Sequence, residues 1–377
     1  MKVVIAIDSF KGCISSIEAG NAAKAGVERA CTADIVVKPL ADGGEGTTEA
    51  LVEGLGGTYV MTQVTGPLGE KTCAKYGILP DGKTAVMEMA QAAGIMLLKR
   101  EELDPRRATT YGVGEMILDA VHRGCREFII GIGGSATSEG GTGMLQALGY
   151  RLLDAEGNPI KQGLEPLDQI ALIDGTDVPK ELKECRFHIA CDVKNPLCGT
   201  NGAVYVYGSQ KGIREEDKQE FDQKMKYFAD KTVKYIGKDY RMAKGAGAAG
   251  GLGFAFLSYF PNAELKSGID LVLEAIQFEQ EVKDADFVIT GEGRMDVQTA
   301  MGKVPVGVAR LAKKYGAKVL AFAGGVTKDA GACNAAGIDA FFPIVREITT
   351  LEEAMIPEIA KENMELAVEQ VFRLLLL

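Results

Sequence analysis

The chain has 377 residues, 42 Lys and Arg against 52 Asp and Glu, a formal net charge of −10 and 46% hydrophobic residues. This globular balance is long enough for two domains and excludes wholesale disorder, while its acidity excludes a nucleic-acid binder that needs a basic face. With no Trp and only two His, His122 and His188, it also excludes a His-rich zinc site and a multi-His catalytic centre.

Residues 3–7 (VVIAI) predict a strand buried on both faces, ending at DSFKG. Ser15 to Glu18 reads as a capping box opening a helix to about Ala30. DIVVKPL is a second strand, and the loop from Asp42 to Thr48 feeds a helix that stops at Gly54. This β-loop-α repeat is the unit of a parallel sheet. From Thr58 the pattern alternates, with turn signals at GPLG and PDGK, which predicts antiparallel hairpins. A helix from about Tyr111 to Arg123, the strand EFIIGIGG, a helix near Gly140 to Leu148 and a hairpin-like YRLLDAEGNPI follow. Then come the strand FHIACDV and a charged amphipathic helix from Ile213 to Ile236, read as a solvated one. GAGAAGGLG, Gly245 to Gly253, fits a glycine loop or a close-packed helix equally. Near Asp286 the first texture returns, with DFVIT, AKVLAFAGGV and DAFFPIV as strands and a long helix from about Leu351.

The order predicts an α/β protein with two α/β domains. Residues 1–60 and 283–377 form a parallel-sheet, Rossmann-like three-layer domain. Residues 61–282 form a second, mixed-sheet α/β domain inserted into it, with the active site expected in the cleft between them. The longest uncharged stretch, Gly245 to Ala263, is interrupted by Gly and ends near Pro261, so no membrane partner is expected. Eight scattered Cys without a CxxC pair, and an N-terminus without a signal layout, predict reduced thiols and a cytoplasmic protein.

Ligands of open parallel sheets sit beyond the carboxyl ends of the strands. Here those ends carry DSFKG, ADGGEGT, TGEGRMDVQT and AGGV, and the insert adds GIGGSATSEGGTG and CDVKNPLCGTNG. The chain holds 47 Gly, well above the usual ~7%. Gly exposes main-chain N–H groups, and the polar residues beside these glycines suit phosphate with a divalent cation. Gly133, Gly134, Ser135, Gly140, Gly141 and Thr142 lie in an anion-wrapping loop, which also mimics a dinucleotide fingerprint with Asp154 downstream. TGEGRMDVQTAMGK gathers Glu292, Arg294, Asp296 and Lys303: Arg suits a carboxylate or phosphate, Lys a transferring phosphoryl group, and a carboxylate can hold Mg²⁺ or take a proton. Asp42 with Glu45, Asp192 with Asn195, and Ser9 with Lys11 sit in the other loops. No Walker, nucleophile-elbow or protein-kinase motif is present.

The collinear series IDSFKG, ADGGEGT, GIGGSATSEGG, CDVKNPLCGTNGA, GSQKG, GAGAAGGLG, LKSGID and TGEGRMDVQTAMGKVPVGVA resembles the bacterial type-1 glycerate kinase family, from Asp8 to about Gly325. One departure is Ser138-Glu139, where the family commonly reads Asn-Asp. The resemblance implies two α/β domains and ATP-dependent phosphoryl transfer, with Mg²⁺, to a hydroxyl of D-glycerate. 2-Phosphoglycerate is favoured over 3-phosphoglycerate as product. Its partners would be ATP and glycerate, in a monomer or homodimer.

On that basis Gly133, Gly134, Ser135, Gly140, Gly141 and Thr142 are expected at the nucleotide phosphates. Arg294, Ser9, Asn195 and Lys303 are expected at the substrate, and Asp42 or Glu292 at Mg²⁺. Asp192 or Asp296 would orient or deprotonate the hydroxyl, while Lys11 neutralises phosphate. A nicotinamide-dependent oxidoreductase of a small hydroxy acid, and a non-catalytic nucleotide- or acid-binding regulator, are the alternatives.

Overall fold

A computed structural model describes residues 1–377. Thirteen strands follow in chain order. β1 to β6 are Lys2–Ile7, Asp34–Val37, Thr58–Thr65, Lys71–Ile78, Thr84–Glu88 and Glu127–Gly131. β7 to β10 are Arg151–Leu153, Leu172–Asp174, Arg186–Ala190 and Ala263–Lys266, and β11 to β13 are Phe287–Met295, Lys318–Val326 and Ala340–Pro343. The chain folds as two compact units. One comprises Met1–Asp42, Glu49–Gly56 and Ile269–Leu377, and the other Gly43–Thr48 and Gly57–Gly268.

The first unit is built on a five-stranded sheet of order β13-β12-β11-β1-β2. Every pair in it is parallel. β1 is buried over Val3–Ile7 because a parallel sheet is covered on both faces. Val3, Ile5, Ile7, Ile289 and Phe322 pack against Ala19, Ala23, Val27, Met364, Val368 and Phe372 of the helices Ser16–Ala30 and Pro357–Leu375. The helix Val304–Lys313 packs on β1, β11 and β12. The first helix opens as read, with Ser15 accepting the Glu18 N–H and Glu18 accepting the Ser15 N–H. Gly26 marks the crossing of the two long helices: a Cβ there would lie 2.4 Å from the Glu365 carbonyl oxygen.

Two segments expected as loops are strand. β11 runs through GEGRM and β12 through AGGV, with Glu292 opposite Ala323 and Arg294 opposite Gly325. Glycines do not end these strands, because β11 and β12 go on pairing with each other to Met295 and Val326, past the last β1 partner at Gly291; a Cβ on Gly291 would come within 2.0 Å of the Phe322 carbonyl oxygen.

The second unit has a mixed sheet of order β10-β9-β6-β5-β4-β3. β3, β4 and β5 pair antiparallel, as their alternating pattern predicts, and β5, β6, β9 and β10 are parallel. Three local readings change. YRLLDAEGNPI is not a hairpin: β7 pairs with β8, and a single Leu153–Pro159 bridge remains. The charged helix starts at Lys218 and not at Ile213, and it is amphipathic as read, with Phe221, Met225, Phe228 and Ala229 in the core and its charges on the other face. In GAGAAGGLG both readings hold in part. Ala249, Gly250 and Gly251 are left-handed, with φ of 51°, 66° and 96°, and a buried helix follows to Tyr259. No helix is long and apolar enough to cross a membrane.

Candidate active site

At the carboxyl ends of β1 and β11, the first unit encloses a cavity of about 480 Å³. Asp8, Ser9, Lys11, Asp42, Glu292, Arg294 and Lys303 line it, and Phe10, Ile344, Leu351 and Met355 are among the apolar lining. Strand order explains the gathering. β1 and β11 are neighbours, with Ile7 opposite Gly291, so the residues just after Ile7 and Gly291 emerge side by side. The six expected residues of this unit that line the cavity come from three separate stretches of sequence, DSFKG, ADGGEGT and TGEGRMDVQTAMGK.

The cavity holds opposed charges at close range. Asp8 is 6% exposed and accepts the Ser9 N–H at 2.7 Å. Burial first, and then the neighbouring Asp42, push its carboxyl up to about 7 against the opposing pull of the Ser9 N–H and Lys11. Burial likewise raises Glu292, whose Oε1 accepts the Thr299 hydroxyl at 2.5 Å. Lys11 Nζ lies 3.2 Å from Asp42 Oδ2, and both side chains are partly exposed, so screening leaves this ion pair weak and open to exchange for a ligand. Arg294 and Lys303 are exposed. Three cations beside carboxylates suit a small polyanion or hydroxy acid.

Asp296 has a different job. It caps the short helix Val297–Ala300, accepting the Gln298 and Thr299 N–H groups, and it does not line the cavity. Both amides meet the same oxygen, Oδ1, so the helix cap fixes the carboxylate in place.

The second unit carries the other expected residues. Gly133 and Gly134 are exposed, and Gly134 has φ +70°. Gly140, Gly141 and Thr142, expected at a phosphate, are instead buried. A Cβ on Gly140 would lie 2.8 Å from the Phe228 ring, and one on Gly141 2.6 Å from Ala255 Cβ. Thr142 gives its hydroxyl to Glu139 at 2.7 Å. These three serve strand-to-helix packing.

Glu139 is fully buried and accepts from Thr110 N, Thr110 Oγ1, Thr142 Oγ1 and Gly143 N. The Ser135 hydroxyl accepts from buried Lys211 Nζ at 2.7 Å. Asn195 is satisfied within its own loop: its amide donates to the Asn201 carbonyl, and its oxygen accepts the Tyr207 hydroxyl. These two bonds fix the orientation of its half-buried side chain. Asp192 is exposed, and its Oδ1 accepts the Gly268 N–H. Asp154 accepts the Glu156 and Asn158 N–H groups in a local turn, so the dinucleotide mimic loses its acidic residue.

Residues 3–376 match the sequence profile of the "Glycerate kinase family". The chain belongs to the glycerate kinase family. Glycerate kinase of Bacillus subtilis (strain 168) is 48% identical over 97% of this chain and 95% of that protein. Glycerate 2-kinase of Escherichia coli (strain K12) is 46% identical over 94% of this chain and 93% of its own. A crystal structure named for glycerate kinase 2 of Salmonella typhimurium LT2 superposes with a TM-score of 0.92 at 43% identity, covering 100% of this chain and 98% of that one. Membership makes this glycerate kinase family chain a phosphotransferase.

Within the family frame, the Ser138-Glu139 departure falls on a structural position, because both residues are fully buried. Asp8 was not among the expected site residues, although its place in DSFKG at a strand end was a signal. Lys211 and Glu139 stood only within the segments GSQKG and GIGGSATSEGG, because burial of a charge is not visible in sequence.

Proposed function

We propose that the chain transfers the γ-phosphoryl group of ATP to D-glycerate, with Mg²⁺, giving phosphoglycerate and ADP, and that the 2-hydroxyl is the acceptor. The observation that carries this reading is the single cavity lined by Lys11, Arg294 and Lys303 with Asp42 and Glu292. Family membership supports the acceptor, and the name of the E. coli relative supports the 2-position.

Arg294 takes the glycerate carboxylate through its fork of donors, and Ser9 takes a hydroxyl. Lys11 and Lys303 neutralise phosphate charge. The exposed amides of Gly133 and Gly134 bind nucleotide phosphates. Asp192 takes the proton as the acceptor oxygen bonds to phosphorus and the bond to ADP breaks.

Mg²⁺ is tested by the donor set. No three His, Cys, Asp or Glu side chains form a closed metal cage. Mg²⁺ prefers one or two carboxylates completed by phosphate oxygens and water, and Asp42 with Glu292, lining the same cavity, fit that demand. Bound there, the ion supplies charge neutralisation for the phosphates. All eight cysteines are free, which supports a cytoplasmic setting.

A coupled assay of ADP release tests the reading. Release should require D-glycerate and cease when EDTA removes the metal. Release that is equal without glycerate would contradict it, and saturable NADH binding would favour the oxidoreductase.

A further inference from the structure

Lys211 closes the short turn Ser209–Lys211 and is 2% exposed. Its ammonium donates to Ser135 Oγ at 2.7 Å and to the Thr137 carbonyl oxygen at 2.6 Å. Both acceptors are neutral and both belong to the segment that begins with exposed Gly133 and Gly134. The adjacent carboxylate, Glu139, is committed to Thr110, Thr142 and Gly143. The Thr137 and Ser138 hydroxyls beside them are buried without a partner.

Burying an ammonium is costly unless an opposite charge balances it. Two neutral acceptors take two of its three N–H groups, and Glu139, the carboxylate that acts on its charge, does so through space only, its oxygens being held by Thr110, Thr142 and Gly143. A filler for this core would be apolar. A charge kept here at such cost is suited to an anion that arrives at the exposed face of the same turn.

We propose that Lys211 is the buried positive charge of a phosphate-binding turn, fixing Ser135 and Thr137 and holding a positive potential behind the amides of Gly133 and Gly134. It is a positioning residue, acting on nucleotide phosphate through the turn. The inference rests on the reading that this turn receives ATP. Fixed amides backed by a cation bind an anion with little reorganisation, and low-dielectric surroundings strengthen the attraction. Burial pushes the Lys211 ammonium down to about 7, with Glu139 pulling the other way, so an incoming anion also favours its charged form.

The test is steady-state kinetics of Lys211→Met, which keeps the length of the stem and deletes the charge. The KM for ATP should rise at least about tenfold while the KM for D-glycerate stays within twofold. An unchanged ATP KM overturns the proposal, as does an equal rise in both constants, the mark of general damage. Should Lys211→Met fail to fold, Ser135→Ala decides, because it removes one acceptor of the ammonium without opening a large cavity. It should raise the ATP KM about threefold or more, and no change overturns the proposal.

Gly133→Leu separates the two readings. It puts bulk on the exposed face, where a Cβ meets nothing closer than 3.8 Å. A raised ATP KM in Gly133→Leu with none in Lys211→Met sinks the lysine alone. No change in either variant sinks the turn as the nucleotide site.

Discussion

Replacing Arg294 with Ala is expected to lower kcat/KM for D-glycerate by about a hundredfold or more, roughly 2.7 kcal/mol of lost transition-state stabilisation. Arg294 sits on β11, opposite Gly325 of β12 and three residues past Gly291, the last residue of β11 paired with β1. Its side chain leaves a fixed strand into the cavity, so little positional entropy is lost when a carboxylate is bound. Lys11 and Lys303 line the same cavity but are point charges, and neither reproduces a planar two-pronged contact. Because the guanidinium is exposed, the melting temperature should hardly move. A variant within threefold of wild type would remove Arg294 from the acceptor site.

The largest expected stability effect is at Glu139. Glu139→Ala would strip the acceptor from Thr110 N at 2.9 Å, Thr142 Oγ1 at 2.7 Å, Gly143 N at 3.3 Å and the Thr110 hydroxyl. Each buried donor left without a partner costs on the order of 1–3 kcal/mol, and the terms are not additive. A net loss of about 3–5 kcal/mol by denaturant titration is expected, comparable to breaking a buried charged pair. Glu139→Gln keeps one acceptor oxygen and should lose less. A loss below about 1 kcal/mol for Glu139→Ala would show that the segment can rearrange around water, against the packing described here.

Both predictions concern features that sequence reveals unequally. Periodicity and capping residues exposed the helices and the parallel strands, because burial on both faces writes a continuous apolar run such as VVIAI. Clustering of Ser9, Lys11, Asp42, Glu292, Arg294 and Lys303 in one cavity was legible for the same reason: strand ends in a parallel sheet share an edge. Glycines misled in two ways. In GEGRM and AGGV they suggested loops, yet the two segments pair with each other and stay extended. At Gly140 and Gly141 they suggested a phosphate cradle, yet they make room for Phe228 and Ala255. Glycine signals a close approach without naming what approaches. A capping carboxylate and a ligand-binding one look alike in sequence, so the helix cap at Asp296 and the local turn at Asp154 show only in their amide partners. Lys211 went unseen because its burial comes from contacts with residues about 75 positions away.

The central claim is phosphoryl transfer to a hydroxyl of glycerate. Its most direct measurement is ¹H–³¹P NMR of the product formed from ATP, Mg²⁺ and D-glycerate by this chain. The account predicts a new phosphate ester whose phosphorus couples to the single proton on C2, together with stoichiometric ADP. Coupling to the C3 methylene protons would contradict the 2-hydroxyl assignment, and release of inorganic phosphate with glycerate unchanged would contradict the kinase itself.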